Sequence, residues 1–553
     1  MRPSLAAWAS FAGTGRVEAD FVIVGAGSAG CVLAEALSRS GRHSVLVLEA
    51  GGTDHRLWIQ IPLGYGKTFY DKAVNWAYVT EPDPGLGNKP DYWPRGKVLG
   101  GSSSINAMVY IRGQPEDYED WAAAGNPGWG WRDVLRVYRA LEDDPAGDPA
   151  IHGQGGPLPV TDVSRDLHPL CRAFFAAGQQ AGLRFNPDLN ALDPEGVGPY
   201  RITTKGGRRA SASRMFLRPA MRRSNLRVVT GAQVTGLVFD GGRAVGVSLC
   251  RNGETVTVRA GREVILSAGA VNSPQLLLLS GIGPAEDLRA LGITPRVDNR
   301  HVGRNLQDHV GINYTFKARR PTLNQELRPW WGKLIAGMKY VFAGRGPLAT
   351  SLNHGGGFFR TDPSQTRPNM QLYLQALSTL RPAVGERPLL TPDPFPGFSI
   401  GLSNCRPTSR GSIALASTDP LAAPRIDARA YATDHDVKEM LDAVKFVRRL
   451  ASMPALAAEI VEELRPGPSV QSDEALITDM RERSGTVYHP SCTCRMGPDP
   501  AVAVVDPRLR VHGVAGLRVV DASVFPNIIS GNTNAPSIMV GARAGELILE
   551  DHA

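Results

Sequence analysis

The stretch from 20 to 52, DFVIVGAGSAGCVLAEALSRSGRHSVLVLEAGG, constrains the fold more than any other part of the chain. An apolar run at 21–24 is typical of a buried parallel strand, and the pattern G-x-G-x-x-G follows it at once. After a helical apolar periodicity, a second apolar run at 45–48 ends at an acid, Glu49. This order of strand, glycine turn, helix, strand and acid predicts a Rossmann-like dinucleotide-binding unit.

The glycines and the acid of this fingerprint each have a physical role. We expect Gly25 to permit the tight turn, Gly27 to let backbone approach a pyrophosphate, and Gly30 to let helix and strand pack closely. The pyrophosphate would lie at the helix N-terminus, where unpaired N–H groups and the helix dipole favour anions. Glu49 would accept hydrogen bonds from the adenosine ribose hydroxyls and repel a 2′-phosphate.

Length and charge bound the class of protein. A chain of 553 residues is too long for one hydrophobic core and indicates two domains or one large discontinuous fold. No run approaches the ~20 apolar residues that a transmembrane helix needs. The net charge of +8 comes from 61 basic and 53 acidic residues without a long basic run, so nucleic-acid binding is not indicated.

The cysteines and the N-terminus bear on location. Six cysteines scattered over the chain form no disulfide framework, which favours a reducing compartment. We therefore expect a cytoplasmic protein, with peripheral membrane contact left open. Residues 1–14 are expected to be an extension without a role in the fold, and a cleaved signal peptide is the alternative.

Near the C-terminal end, YHPSCTCRMG at 488–497 raises the question of a metal or redox site. Cys492 and Cys494 are one residue apart, closer than the spacer of structural zinc sites, and no second cluster supplies further ligands. We therefore predict no metal and expect both cysteines to be buried. A redox role would need exposed thiols with a depressed pKa, which the sequence does not decide.

Two internal stretches identify the family. Residues 95–113 read RGKVLGGSSSINAMVYIRG, and residues 269–283 read GAVNSPQLLLLSGIG. With the fingerprint and the C-terminal YHPSCTCRMG, they resemble the glucose–methanol–choline family of FAD-dependent oxidoreductases, including its choline and alcohol dehydrogenase members. The resemblance extends from about residue 20 to the end of the chain.

The resemblance implies a fold of the α/β class, α+β overall, with a Rossmann-like FAD-binding domain and a discontinuous antiparallel-sheet substrate domain. The FAD-binding domain would comprise 15–160, 204–312 and 487–553, and the substrate-binding domain 161–203 and 313–486. Independently, alternating apolar positions at 226–260, broken by glycine turns, predict antiparallel hairpins.

The resemblance also implies the residues that bind FAD. The glycine–serine stretch would lie against the flavin, Val234 would meet the adenine through its backbone, and Asp521 and Asn532 would lie along the ribityl chain and pyrophosphate. Some relatives attach FAD covalently through a histidine that aligns with Ile105, so this chain should bind FAD non-covalently. The candidate cofactor-binding residues are Gly25, Gly27, Ser28, Ala29, Gly30, Glu49, Gly100, Gly101, Ser102, Asn106, Val234, Asp521 and Asn532.

The family's active-site pair aligns with His489 and, 45 residues later, Asn534. An alcohol gives up hydride readily only as its hydroxyl proton is removed, so a base is needed, and a histidine has a pKa near ~6.5. His489 would take the proton while hydride passes to the flavin N5. Asn534 would orient the alcohol oxygen by donating a hydrogen bond.

The predicted function is therefore oxidation of a primary alcohol to an aldehyde, with electrons passed to a quinone-type acceptor. The alternatives are an oxidase that reduces O₂ to peroxide and a lyase without net redox chemistry. Choline-oxidising members place a glutamate where this chain has His354, which favours a neutral alcohol. The aromatic residues expected to contact that alcohol are Trp330, Trp331, Phe358 and Phe359.

Overall fold

The computed structural model describes residues 17–380 and 391–553. These residues form a mixed fold, 32% helical and 26% strand, around two large sheets. The predicted α/β class is confirmed. The extension expected at 1–14 lies outside the described residues.

The first sheet contains the fingerprint. Its four strands at one side are parallel and pair in the order Leu226–Thr230, Val45–Glu49, Val17–Val24 and Glu254–Leu266. Beyond them the strands are antiparallel and pair in the order Glu254–Leu266, Arg243–Arg251 and Gln233–Asp240. A short strand, Leu517–Val519, pairs in parallel with Glu254–Leu266. The hairpins predicted at 226–260 are therefore present over 233–266.

The second sheet is antiparallel throughout. Its main strands pair in the order Asn353–Phe359, Met370–Gln375, Gly397–Asn404, Val310–Ala318 and Ile460–Arg465. The short strand Gly485–Thr486 also pairs with Val310–Ala318 and leads directly into the segment that contains His489. This sheet is the antiparallel sheet that the resemblance implies, while the domain boundaries stay a prediction.

Helices cover both sheets. The helices of nine or more residues are Ser28–Ser38, Pro115–Ala123, Trp131–Leu141, Leu170–Gln180, Gly269–Leu279, Trp330–Ala343, Asp434–Ser452, Asp473–Arg483 and Asn534–Asp551. The shorter α-helices are Leu57–Gln60, Tyr65–Thr68, Arg218–Ala220, Ala285–Ala290, Leu323–Leu327 and Pro454–Ala457. Among the described residues, no helix combines the length and the apolar character that crossing a membrane requires.

The remaining strands are short. Paired two-residue strands are Tyr78–Val79 with Tyr92–Trp93, Glu142–Asp143 with Leu158–Pro159, Thr161–Asp162 with Arg201–Ile202, Thr204–Lys205 with Arg208–Arg209, and Ile282–Gly283 with Val297–Asp298. A small three-stranded sheet contains Arg304–Leu306, Gly411–Ala414 and Arg425–Asp427, and Gly196–Pro199 lies beside the second sheet.

The fingerprint folds for the predicted reasons. Gly25 has a φ of +101°, and a Cβ there would lie 2.4 Å from the Ser267 carbonyl oxygen. A Cβ on Gly30 would lie 2.2 Å from the Gly25 carbonyl oxygen, so only glycine lets this helix start so close to the turn. The helix Ser28–Ser38 then packs against the C-terminal helix Asn534–Asp551.

One helix contains a proline in its interior. The apolar helix after the Glu254–Leu266 strand begins at Gly269, four residues before Ser273, so Pro274 lies inside it. Proline has no N–H to offer to the carbonyl of Ala270, four residues earlier. That carbonyl instead accepts a hydrogen bond of 2.7 Å from the Thr493 hydroxyl, which ties the helix to the segment around His489.

Candidate active site

A large cavity lies between the fingerprint, the glycine–serine stretch, the C-terminal segment and the second sheet. Its volume is about 1540 Å³. Pockets for ordinary small ligands occupy roughly 300–1,000 Å³, so this cavity can hold a dinucleotide together with a substrate. The predicted residues that line it are Gly25, Gly27, Ser28, Ala29, Glu49, Gly101, Ser102, Asn106, Val234, Asp521, Asn532, Asn534 and His489.

Gly30 and Gly100 belong to the predicted cofactor-binding set but do not line the cavity. Gly30 packs on the turn, as described above, and Gly100 has a φ of +88° while its N–H donates to the Ala26 carbonyl over 2.7 Å. A Cβ on the next residue, Gly101, would lie 2.8 Å from the Gly27 Cα. The two glycine turns therefore touch each other, and both can expose backbone to a ligand.

Glu49 closes the fingerprint loop. Its carboxylate accepts hydrogen bonds from the N–H of Ala26, over 2.9 Å, and of Gly51, over 2.8 Å. Each carboxylate oxygen keeps a further lone pair that could accept from a ribose hydroxyl. Burial raises the pKa of Glu49 to about 7, against the two N–H groups and nearby Lys97, which lower it.

Two helix N-termini meet at the cavity. The Ser28 hydroxyl begins the fingerprint helix and donates to Asn534 Oδ1 over 2.8 Å, at the start of the C-terminal helix. A Cβ on Gly541 would lie 2.5 Å from the Ala29 carbonyl oxygen, so the two helices are in close contact. Because both N-termini direct unpaired N–H groups toward the same region, this end of the cavity suits a pyrophosphate.

Asp521 and Asn106 are held by their neighbours. The Asp521 carboxylate accepts from the Gly269 N–H over 2.8 Å and from the Ser273 hydroxyl over 2.6 Å. Burial raises the pKa of Asp521, and these donors oppose the rise. Asn106 is fixed by buried Arg209, which donates to its side-chain oxygen over 2.8 Å.

The backbone around His489 is constrained. The preceding residue, Tyr488, has a φ of +73°, and Arg95 donates to its carbonyl over 2.6 Å. The His489 N–H donates to the Asp308 carboxylate over 2.8 Å. These contacts hold the imidazole at the wall of the cavity, where the side chain is almost fully buried.

A chain of hydrogen bonds orients the groups beside His489. The Tyr373 hydroxyl donates to Gln371 Oε1 over 2.6 Å, which leaves Gln371 Nε2 to donate to Asn532 Oδ1 over 3.3 Å. The amide of Asn532 is thereby turned so that Nδ2 faces His489 Nε2 at 3.1 Å. His489 Nε2 therefore accepts a hydrogen bond and carries no proton.

The other nitrogen of His489 supports the same protonation state. His309 Nε2 lies 2.9 Å from the Cys405 carbonyl oxygen, to which only an N–H can donate. In neutral His309 the Nδ1 atom is then an acceptor, and it lies 2.9 Å from His489 Nδ1. His489 consequently carries its proton on Nδ1, and its unprotonated Nε2 faces the Asn532 amide.

Burial keeps both imidazoles neutral. It lowers the pKa of His489 well below the ordinary value, and neighbouring His309 and Arg95 lower it further. Burial also lowers the pKa of His309 to about 4. A neutral imidazole with an unprotonated nitrogen can take a proton from a bound hydroxyl group, which is the chemistry of a general base.

The structure reverses the expected positions of two asparagines. Asn532, expected along the ribityl chain and pyrophosphate, faces His489. Asn534, expected beside His489, bonds Ser28 at the helix N-termini instead. The reason is that the chain turns at Gly531, with a φ of +109°, and the C-terminal helix begins only at Asn534.

The expected substrate contacts are also wrong. His354 does not line the cavity; its ring is buried between the backbone N–H of His168 and the Thr350 hydroxyl. Its neighbour Asn353 lines the cavity in its place. None of the four aromatic residues expected at the substrate lines the cavity. Phe358 and Phe359 are buried in the core, and Trp330 and Trp331 are exposed on the surface.

Cys492 and Cys494 are free and fully buried, and burial raises the pKa of both thiols. Within residues 17–380 and 391–553, no three His, Cys, Asp or Glu side chains are grouped so that they could hold a metal ion. The segment thus contributes its histidine to the cavity and its cysteines to the core.

The family follows from direct comparison with known proteins. Profiles described as GMC oxidoreductase match residues 19–311 and 407–541. The chain belongs to the GMC oxidoreductase family. Membership confirms the resemblance drawn from the fingerprint, the two internal stretches and the C-terminal segment.

Relatives of this GMC oxidoreductase match along almost its whole length. An alcohol dehydrogenase [acceptor] from Pseudomonas putida is 42% identical over 534 residues, which cover 96% of this chain and 95% of that one. An oxygen-dependent choline dehydrogenase from Rhizobium etli is 40% identical and covers 96% of both chains.

Solved structures show the same fold. Pyridoxine 4-oxidase from Mesorbium loti superposes with a TM-score of 0.86 at 31% identity and covers 97% of this chain and 99% of that one. A formate oxidase from Aspergillus oryzae superposes with a TM-score of 0.89 at 26% identity, covering 97% and 98%.

The family implies FAD, and this GMC oxidoreductase has residues that fit it. The glycine turns leave backbone exposed, the two helix N-termini suit a pyrophosphate, and Glu49 retains lone pairs for a ribose. When bound, FAD supplies the acceptor for a hydride from the substrate.

Sequence reasoning missed three residues of the site: His309, Gln371 and Asp308. All three lie in or beside the second sheet, far along the chain from His489. The only local signal was the run GRNLQDH at 303–309, in which a histidine and an acid follow a glycine turn just before a buried strand.

Proposed function

We propose that this protein oxidises a primary alcohol to an aldehyde, with His489 as the base and Asn532 as the group that orients the alcohol. The proposal rests on one observation: at the wall of the cavity, the unprotonated Nε2 of a neutral, buried His489 lies 3.1 Å from the Asn532 amide nitrogen. A base in this protonation state, next to a hydrogen-bond donor, can accept a hydroxyl proton while the donor holds the oxygen.

In the proposed reaction His489 takes the hydroxyl proton, Asn532 holds the alcohol oxygen, and His309 holds the imidazole in place. The hydroxyl of a bound alcohol replaces the Asn532 amide as the donor to His489 Nε2, and an N–H of Asn532 donates to the alcohol oxygen. The hydroxyl proton passes to Nε2 as hydride leaves the carbon. His309 accepts from His489 Nδ1 throughout, so the imidazole does not rotate during the transfer.

The electron acceptor is proposed to be a quinone-type compound. Support comes from the Pseudomonas putida relative, whose name specifies an alcohol dehydrogenase with an acceptor. Molecular oxygen is the second candidate, because a pyridoxine 4-oxidase shares the fold at 31% identity. Peroxide formed in air, measured against the rate with a quinone analogue, separates the two.

The lining of the cavity supports a neutral substrate. The strands of the second sheet contribute side-chain amides, such as those of Asn353 and Gln375, together with the cation Arg465. Of the described residues in these strands, none contributes a carboxylate to the lining. Aromatic rings at Tyr65, Phe69 and Tyr488 contact one another there and offer an apolar surface to an aliphatic or benzylic alcohol.

The test is anaerobic mixing of the yellow protein with a panel of alcohols, followed by the loss of flavin absorbance. We expect uncharged primary alcohols to bleach the flavin. His489→Ala should keep its flavin but be reduced about 10² to 10⁴-fold more slowly, the usual worth of a positioned base. His301→Ala, at the surface and bonded to Ala501, is the matched control and should behave as wild type.

Two results would contradict the proposal. A near-normal rate of flavin reduction in His489→Ala would exclude this histidine as the base. A flavin that no alcohol bleaches without oxygen, in a protein that cleaves or rearranges a hydroxylated substrate without net oxidation, would place the chain with the lyases.

A further inference from the structure

The helix Trp330–Ala343 exposes its apolar side to solvent, which is unusual for a surface helix of a globular protein. Its large apolar residues face outward, with Trp330, Val341 and Phe342 exposed by 77%, 74% and 86%. The residues it buries are the small Gly332 and Ala336. A surface helix normally directs its apolar stripe to the core, and an exposed apolar patch of this kind is typical of a binding surface.

The exposed residues form one continuous stripe. They recur at helical spacing over the 14 residues of the helix, which span roughly 21 Å at 1.5 Å per residue. The members of this outer stripe are Trp330, Trp331, Leu334, Ile335, Met338, Val341 and Phe342. Indole rings at one end and a phenyl ring at the other are typical of helices that lie at the interface of a bilayer.

Cations border the outer stripe. Lys333 and Lys339 are exposed on the helix itself, and neither has an acidic partner within residues 17–380 and 391–553. Lysine can extend its charged head to lipid phosphates while its methylene stem lies along apolar surface. The acid nearest in sequence is Glu326, which lies in the preceding short helix Leu323–Leu327.

A second exposed cluster continues the surface. Gly207, in the hairpin between Lys205 and Arg208, lies so close to the helix end that a Cβ on it would be 2.4 Å from the Gly344 carbonyl oxygen. Lys205 and Arg208 are both exposed. Burial raises the pKa of Tyr340, and nearby Arg208 and Arg214 oppose the rise, which locates these cations beside the helix.

The same hairpin links the helix to exposed apolar residues far away in sequence. Arg209 donates to the Ile59 carbonyl over 3.0 Å, within the short helix Leu57–Gln60. Leu57 and Trp58 of that short helix are exposed, and Lys67 lies 3.6 Å from the centre of the Trp58 ring. Exposed apolar and cationic groups therefore also lie on the short helix that this hairpin contacts.

We propose that the outer stripe and its bordering cations dock this protein on the surface of an anionic lipid bilayer. Apolar side chains would enter the boundary between headgroups and acyl chains, and the lysines and arginines would meet lipid phosphates. A symmetric pair of copies is the other occupant to consider. A two-fold interface would gather Lys333 and Lys339 of both copies around one apolar contact to which the outer stripe supplies no acid, which favours lipid.

The experiment uses the full-length flavoprotein and sedimentation with vesicles of phosphatidylcholine alone or with one third phosphatidylglycerol. We expect binding to the anionic vesicles that weakens as salt is added. Leu334→Glu with Met338→Glu should reduce the bound fraction at least about tenfold, and Lys333→Ala with Lys339→Ala roughly tenfold to a hundredfold on anionic vesicles.

The control variants also replace an exposed apolar residue by glutamate, but at positions outside the helix Trp330–Ala343. Leu421→Glu and Val502→Glu, which alter side chains exposed by 55% and 47%, should bind vesicles as wild type does. Flavin content and the rate of alcohol-driven flavin reduction should be unchanged in every variant, which shows that each is folded.

Three outcomes would overturn the proposal. The first is wild-type protein that stays in solution with anionic vesicles at low salt. The second is vesicle binding that the Leu334 and Met338 changes leave intact. The third is a dimer, seen by analytical ultracentrifugation, that those changes split into monomers while vesicles bind none of the proteins, since the stripe would then join two copies.

Discussion

The Nδ1 atoms of His309 and His489 lie 2.9 Å apart, and the single proton between them decides which nitrogen of His489 can act as a base. His309 is held by the Cys405 carbonyl, so its Nδ1 can only accept. His489 must then donate from Nδ1 and keep Nε2 unprotonated. His309 is accordingly a positioning residue for the proposed base.

The first prediction tests this role of His309. Leucine at position 309 removes the acceptor, so His489 can move its proton to Nε2 and lose the lone pair that faces the cavity. We expect His309→Leu to slow flavin reduction by about 10 to 10³-fold, since wrong-tautomer defects in catalytic histidines are large. The measurement is the anaerobic reduction rate at saturating alcohol.

The matched variant is His309→Asn, whose Oδ1 can take the place of Nδ1 as the acceptor. It should recover most of the rate, although it loses the bond to Cys405. Equal rates in the leucine and asparagine variants would show that His309 acts through packing alone.

The second prediction separates the two asparagines. Asn532 faces His489, whereas Asn534 bonds Ser28 at the two helix N-termini. Asn532→Ala should slow flavin reduction by about 10 to 10²-fold with flavin content unchanged, because a hydrogen bond to an alcohol oxygen that gains negative charge as its proton leaves contributes roughly 1.5–3 kcal/mol. Asn534→Ala should weaken flavin retention and leave the reduction rate of the remaining holoenzyme nearly unchanged. The opposite pattern would restore the arrangement expected from sequence.

These two residues show where sequence reasoning succeeds and where it ends. The strand, turn and helix of the fingerprint follow from local periodicity and from glycines whose need is local, such as Gly25. Asn532 and Asn534 lie in an irregular turn just before a helix, where a separation of two residues does not fix which side chain faces a distant imidazole. His309 meets His489 across 180 residues of chain.

The misplacement of His354 has a different cause. Alternation along a strand tells which residues share a face, but the pairing of Asn353–Phe359 with Met370–Gln375 shifts register between Asn353 and Gly355. A bulge of this kind exchanges the faces of the residues before and after it. Alignment with choline-oxidising relatives could not reveal that shift, which turns Asn353 rather than His354 to the cavity.

The third prediction concerns pH. Burial lowers the pKa of His489, so the imidazole stays in its neutral, basic form until the pH falls well below the ordinary ~6.5 of histidine. The rate of flavin reduction at saturating alcohol should therefore show no loss due to His489 between about pH 9 and 6.5. Stopped-flow measurements over this range check it.

A control separates His489 from its neighbour Asp308. Burial raises the pKa of Asp308 to about 7, and its carboxylate accepts from the His489 N–H. Any inflection near pH 7 should therefore disappear in Asp308→Asn, which keeps the acceptor oxygen. An inflection near ordinary histidine pKa that survives in Asp308→Asn would contradict a depressed pKa for His489.

The fourth prediction is that FAD is bound without a covalent link. Ile105, at the position of the attachment histidine in some relatives, is buried and lines the cavity, and its side chain has no nucleophile. Acid precipitation of the purified protein should release all the yellow colour into the supernatant. The Ile105→His variant is the comparison. If its pellet keeps the yellow colour while the wild-type pellet does not, position 105 is the site where a histidine would attach the flavin. Colour retained by the wild-type pellet would refute the prediction.

The last prediction is that choline is a poor substrate. A quaternary ammonium group is best held by aromatic faces together with a carboxylate. The acids that line the cavity are engaged or peripheral: Glu49 and Asp521 accept backbone and hydroxyl donors, and Asp91 accepts from the Thr486 N–H. Glu482 is exposed at the surface.

The balance of charge on the second-sheet side is positive, because Arg465 lines the cavity there. We therefore expect kcat/KM for choline at least about tenfold below that of the best uncharged primary alcohol, which corresponds to roughly 1.4 kcal/mol of unfavourable transition-state binding. The measurement is dye-linked turnover over matched chain lengths, with 3,3-dimethylbutan-1-ol as the neutral isostere of choline. If choline equals or exceeds this isostere, the proposed substrate class is wrong, whereas the roles of His489, His309 and Asn532 are tested separately by their own variants.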